Sequence, residues 1–225
     1  MRYTLKDKRR RTRIDCQIEE MKCIIENCNT VSSLHPFCSL HLHQHLGLAV
    51  KKSKIHGAGC GLFTTRRFLK GDVIAPYTGR RSTFKEARKE KLPRVLPYAL
   101  RTWRNRFIDA SCIRGAAAYI NGRSENSRHS NAYFTSGIIH KKTQRRFFST
   151  ASNGNGMCIV LNKRYSRYYK KGWRRIHESL LKYFTDEYNG WVVAERNIPV
   201  HTEIIANYRN NKLFDMDHNT TPSPC

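Results

Sequence analysis

Gly57, Gly59 and Gly61 crowd into one short run of the stretch Ser53–Gly79, which reads SKIHGAGCGLFTTRRFLKGDVIAPYTG. Glycines set this close let the backbone take positive φ and come into contact with something flat or charged. Leu62-Phe63 then enters an extended segment, Lys70-Gly71 marks a turn, and Asp72-Val73-Ile74-Ala75 reads as a second strand. A dinucleotide fingerprint would need a strand before the glycines, a helix after them and an acid about 20 positions on. Here the glycines run into a strand and a turn, so that arrangement is excluded.

Further along, Phe84 to Lys91 reads as a short surface helix ending before Pro93. Tyr98-Ala99-Leu100 follows, then Phe107-Ile108-Asp109-Ala110-Ser111 beyond a turn near Asn105. Tyr119-Ile120-Asn121, Ser130-Asn131-Ala132-Tyr133-Phe134, Trp191 to Ile198, and Glu203-Ile204-Ile205-Ala206-Asn207-Tyr208 complete the series. In this order the segments resemble the SET domain of protein lysine methyltransferases, across Ser53 to Tyr208. The chain departs from that pattern at Asn121-Gly122, where Asn-His is usual, at Ala118 for an arginine, and at Ser130-Asn131 for Pro-Asn. Glycine in place of the histidine keeps the main-chain groups that meet the adenine in the family.

The resemblance implies a mainly β fold with short helices: small curved sheets (a β-clip) and a C-terminal pseudoknot. It implies S-adenosylmethionine as cofactor, approached by the backbone of Gly59, Cys60 and Gly61, with Asn121 at its amino-acid portion or in the knot, and Gly122 facing the adenine. Tyr208 would lie beside the reacting methyl and amine, and Tyr77 and Tyr98 would line the lysine channel with Leu100. Tyrosines suit such a wall, since each gives an apolar face to a lysine stem and a hydroxyl to its amine. Both Tyr77 and Tyr98 also read as core aromatics on strands, and Asp109 and Asn131 read as structural. Ala206 stands where the family often carries Phe or Tyr, which leaves room for di- or trimethylation. Members of the family often carry a cysteine-rich segment after the last tyrosine, where here only Cys225 follows; Leu213-Phe214 or the insertion would take its place, or the channel would close only with substrate or a second subunit.

Upstream lies Cys23-x4-Cys28-x9-Cys38-x2-His41. Two pairs of soft ligands separated by a short loop suit tetrahedral zinc. His43 and His45 lie within reach as alternatives for the fourth ligand. Zinc would also supply folding free energy that this segment lacks in apolar residues. Before it, Ile14, Ile18, Met21, Ile24 and Ile25 fall at helical spacing. Eight cysteines behind a basic, non-apolar beginning read as thiols or metal ligands, with Cys16, Cys60, Cys112, Cys158 and Cys225 scattered.

Net charge is +25, from 42 Lys and Arg against 17 Asp and Glu. Such an excess points to a polyanionic partner, nucleic acid first. No apolar run approaches the roughly 20 residues that cross a bilayer, so no membrane is expected. The run Lys8 to Arg13 reads as a nuclear address or a nucleic-acid arm, which places the chain in the nucleus (a host nucleus if the source is viral).

Relatives have a far shorter connection between Phe134 and Trp191. Here Asn153-Gly154-Asn155-Gly156 signals a hairpin, and Trp173, Ile176, Leu180 and Phe184 share a helical face. Between them, Asn162 to Arg175 interleaves cations with aromatics, a pattern that binds nucleic acid or forms a solvated lid. The expected organisation is a basic arm (1–15), a zinc module (16–48), a SET domain (49–215) with an insertion at about 138–189, and a disordered tail (216–225). The expected activity is methylation of a lysine on a histone or another protein, with nucleosomal DNA attracting the cationic chain and oligomers allowed. The competing reading is a zinc-and-SET scaffold on chromatin that has lost its transferase activity.

Overall fold

The computed structural model describes residues 2–6, 13–89, 98–102, 106–122, 130–138, 160–161 and 188–206. Tyr208, Leu213-Phe214, the hairpin at 153–156, the helix from Trp173 to Phe184, the run 162–175 and the tail lie outside them.

The strand Tyr188–Ala194 organises the main sheet. Trp191, Val192, Val193 and Ala194 are all fully buried, so this strand is covered on both faces, which is why it reads as an unbroken apolar run. On one side it pairs antiparallel with Val73–Tyr77, and on the other with Ala132–Ile138 in the register Ala132↔Ala194 to Ile138↔Tyr188. Val160–Leu161 also pairs with Ala132–Ile138. Ile205–Ala206 then runs parallel to both Ala132–Ile138 and Asn121–Gly122. A late segment is thereby threaded between two earlier ones.

Smaller sheets surround this one. Leu48–Lys52 pairs with Cys60–Thr64, and Arg106–Asp109 lies between Arg80–Thr83 and Ala99–Arg101. Helices are short: Ser39–His41 runs into a π-helical turn, Leu42–Leu46, and Phe84–Lys89 and the 3-10 turn Ala116–Tyr119 stand apart. The helix expected at Phe84 starts there because Thr83 and Glu86 cap it reciprocally. The Thr83 hydroxyl accepts from the Glu86 amide at 3.1 Å, and Glu86 Oε2 accepts from the Thr83 amide at 2.7 Å. The bond from the Thr83 amide, first among the causes, holds the Glu86 carboxyl below its usual range. The mainly β class with short helices is as expected.

Two expectations need correcting. Residues 14–27 are not helical: Arg13–Gln17 pairs with Arg2–Lys6, so part of the basic arm is a hairpin, and Met21–Lys22 pairs with Val31–Ser32. The amides that a helix would use internally go elsewhere, Glu19 to the Cys112 carbonyl and Cys23 to that of Thr30. Partners outside the helical turn outbid the local apolar period. Second, Cys60 and Cys112 are each engaged in a disulfide and are not free thiols.

Phe37, Leu42 and Leu46 from the cysteine-rich module belong to the same apolar core as Leu62, Ile74 and Trp191. A side-chain bond reinforces the docking, since the Thr78 hydroxyl donates to the His35 carbonyl at 3.0 Å. Burial pushes the His35 imidazole pKa below its usual value. A base that resists protonation when folded contributes stability above its unfolded pKa of about 6.5 and loses it as pH falls. Acid should therefore destabilise the protein progressively as pH falls below about 6.5. His35→Gln should flatten that part of a pH series of melting temperatures; an unchanged slope would exclude His35 as its source.

Candidate functional sites: a metal cluster and a carboxylate-tied glycine loop

Cys23, Cys28, Cys38 and His41 converge, with one ligand atom from each lying within 4.8 Å of the others. His41 Nδ1 stands 3.3 Å from both Cys23 Sγ and Cys38 Sγ, and Cys28 Sγ is 4.0 Å from Cys38 Sγ. A tetrahedral ion about 2.3 Å from sulfur and about 2.0 Å from nitrogen would hold sulfurs roughly 3.8 Å apart and sulfur and nitrogen roughly 3.5 Å apart. The edges match, so the donor set fits zinc. His41 fills the place that sequence left open between it, His43 and His45. Its ring stacks on His45 at 5.5 Å, and the Cys38 amide donates to Cys23 Sγ at 3.4 Å, which orients the ligands from behind. Bonds from the Thr30 hydroxyl and amide hold the Cys28 thiol down to about 6, whereas burial pushes that of Cys23 up.

The glycine loop forms a second constellation. Gly59 has φ of 70°, a conformation open to glycine at little cost. The Ser53 amide donates to the Gly59 carbonyl at 2.8 Å and closes the loop at its neck. Asn121 Nδ2 reaches the Cys60 carbonyl at 3.0 Å, the Ser53 hydroxyl at 3.1 Å and Glu203 Oε1 at 3.0 Å. Glu203 also accepts from the Ser53 hydroxyl at 2.6 Å and from the Lys54 amide at 2.9 Å. A Cβ on Gly61 would collide with Glu203 Oε1 and crowd Asn121 Nδ2. Glycine is required here by close approach.

The same site reaches the chain just ahead of Tyr208. Gly122 pairs in parallel with Ala206, whose side chain is fully buried. Asn131 fastens that segment from the other side. Its Nδ2 donates to the Glu203 carbonyl at 2.8 Å and its Oδ1 accepts from the Ile205 amide at 2.9 Å, the structural part expected of it. Asp109 accepts from the Ser111 amide at 2.9 Å and shapes a turn.

Tyr77 is buried, donates its hydroxyl to the Tyr98 carbonyl at 2.7 Å and meets Phe134 edge-on at 5.7 Å. Tyr98 is half-buried, and the Arg114 guanidinium lies over its ring at 4.2 Å. Leu100 is fully buried in the core beside Tyr77. The structure thus groups Tyr77, Tyr98 and Leu100, and separately groups Gly59, Cys60, Gly61, Asn121, Gly122 and Ala206.

Sequence reasoning missed Glu203, Ser53 and Arg114. Glu203 carried a signal: it is an acid heading the apolar run Ile204-Ile205-Ala206 in a chain poor in acids. Arg114, only 1% exposed, carried none among 42 cations.

No protein-family model and no curated protein matches the chain. Solved structures of a much larger assembly are similar at low identity. A ctPRC2 structure in an autoinhibited conformation bound to S-adenosylmethionine has a TM-score of 0.45 and 15% identity, over 74% of this chain and 16% of that one. Chaetomium thermophilum Polycomb Repressive Complex 2 bound to GSK126 gives 0.46 and 15%, over the same shares. An active polycomb repressive complex 2 in the stimulated state gives 0.44 and 15%, over 73% and 15%. The chain spans about a sixth of the length of the chains it matches. Function has to be read from this chain's own residues.

Proposed function

We propose that this protein is an S-adenosylmethionine-dependent protein lysine N-methyltransferase of the SET type, with a zinc-binding module docked on its core. One observation supports it most. The glycine loop is hydrogen-bonded, through Asn121 and Glu203, to the segment that leads into Tyr208. The residues that the family resemblance assigns to the cofactor at 59–61 and 121–122, though far apart in sequence, are thereby tied to the strand Ile205–Ala206, which precedes Tyr208 in the chain. When bound, S-adenosylmethionine would supply an electrophilic methyl group, so the protein's tasks are alignment, exclusion of water and an uncharged amine.

The last task has a size. A lysine of pKa near 10.4 is protonated at neutral pH, and baring it costs about 4–5 kcal/mol. An apolar channel lowers that cost by desolvating the ammonium, as would any nearby cation. Tyr77, Tyr98 and Leu100 offer such a wall. The Tyr77 hydroxyl is engaged by the Tyr98 carbonyl, so Tyr77 shapes the wall while Tyr208 is left to orient the amine. Ala206, small where the family often has an aromatic, accords with di- or trimethyl products.

Histone in chromatin is the substrate we favour. Lys51, Lys52, Lys54, Arg67 and Lys70 are exposed on the described surface, and the net charge of +25 would repel a basic histone tail without DNA beside it. Turnover should be better on nucleosomes than on bare peptide and should fall with salt. The chain's changes at Gly122 and Ala118 favour a second reading, an inactive scaffold in the nucleus on nucleic acid. Calorimetric titration with S-adenosylmethionine separates the two, followed by mass spectrometry of nucleosomes treated with wild type and Tyr208→Phe. We expect binding by both proteins, and a loss of turnover of 100-fold or more in the variant, on the order of 3 kcal/mol. Absence of cofactor binding by the wild type would leave the scaffold.

A further inference from the structure

Glu203 is 7% exposed, and its carboxylate is ringed by donors from two distant segments. The Ser53 hydroxyl and Asn121 Nδ2 converge on Oε1, and the Lys54 amide reaches Oε2. Ser53 is itself fixed, because its hydroxyl accepts from the Ile55 amide at 3.0 Å. A buried charge is tolerable when donors replace the water it has lost, and hydrogen bonds to an ionised acceptor are roughly twice as strong as neutral ones. Two acceptor oxygens are needed at once. Glutamine, of the same shape, would aim an NH2 at one of the donors.

We infer that Glu203 is a positioning residue: its carboxylate holds the loop from Ser53 to Gly61 in the shape that receives the cofactor, and joins it to the strand Ile205–Ala206. The cofactor part of this inference rests on the methyltransferase reading. Glu203 touches no reacting atom and acts through the Lys54 amide, the Ser53 hydroxyl and Asn121. It sits two residues ahead of Ile205, so one group governs both the cofactor loop and the approach to Tyr208. Its closeness to Gly61 also explains why that position admits no side chain.

The test compares wild type with Glu203→Gln and, in case that variant folds poorly, with Ser53→Ala and the double variant. Amide exchange should speed up at least tenfold at Lys54 and Ile55 in Glu203→Gln, while Trp191 to Ala194 keep their protection. The Kd for S-adenosylmethionine should rise at least tenfold, and kcat at saturating cofactor should stay within about threefold, a split that general destabilisation would not produce. Adding Ser53→Ala to Glu203→Gln should cost less than it does in the wild type, since the two act through one bond. Unchanged exchange at Lys54, or a Kd unmoved while exchange rises, would overturn the assignment. A wild-type protein that takes up no cofactor removes the methyltransferase reading instead, and the exchange comparison still decides whether Glu203 fixes the loop.

Discussion

Cys38→Ser should cost the protein its metal and much of its cooperative unfolding. Cys38 is 1% exposed, stands within 3.3 Å of His41 Nδ1 and donates its amide to Cys23 Sγ. Structural zinc contributes about 10–16 kcal/mol of apparent binding free energy in small finger peptides, and that energy is folding energy. In this protein the loss should spread, because Phe37 enters the common core and the His35 carbonyl receives Thr78, one residue past Val73–Tyr77. We expect stoichiometric zinc by elemental analysis in the wild type, almost none in Cys38→Ser, and a melting temperature lower by ten degrees or more in that variant. His43→Ala should keep its zinc, since His43 stands outside the cluster. An unfolding curve indifferent to a strong chelator would show that the four side chains meet for another reason.

The second large effect is expected from a single methyl group. In Gly61→Ala the new carbon meets Glu203 Oε1, with Glu203 Cδ at 3.0 Å and Asn121 Nδ2 at 3.2 Å. A flexible carboxylate could ordinarily swing aside. Here it is tied to Ser53, Lys54 and Asn121, so yielding means breaking those bonds. Overpacking of this kind costs about 1–3 kcal/mol. The functional loss should be greater than the stability loss, because the displaced groups are those that shape the glycine loop. Calorimetry should find cofactor affinity reduced at least 30-fold in a protein that still unfolds cooperatively. Affinity within threefold of wild type would mean that Gly61 lies away from any cofactor. Gly57→Ala is the internal comparison: its added carbon would meet nothing within 4 Å, although its φ of 74° carries a backbone penalty.

Legibility in the sequence followed the range of the physics. The buried strand around Trp191 to Ala194, the glycine loop and the strand after it, and the capped helix at Phe84 announce themselves through composition and local spacing. The four metal ligands were readable because sulfur and imidazole at short separations serve few other purposes. The missed features depend on partners that no window contains. Residues 14–27 carry a helical period, yet the Glu19 amide bonds to the carbonyl of the far-off Cys112. The Glu203 carboxylate gains its meaning from Ser53, 150 positions earlier, and from Lys54 and Asn121. Arg114 looks like any surface cation until Tyr98 and Tyr119 are found within 5.9 Å of it.

The parallel threading of Ile205–Ala206 beside Asn121–Gly122 has a consequence for how the molecule comes into being. A ribosome releases the glycine loop long before it releases the carboxylate that fixes it. Through most of its synthesis the nascent chain lacks the strand that seals its own centre. Pairings between such distant positions form slowly. The tied glycine loop should therefore arise in one late step and not grow with chain length, and fragments ending before Glu203 should leave that loop without its carboxylate however much of the rest they carry.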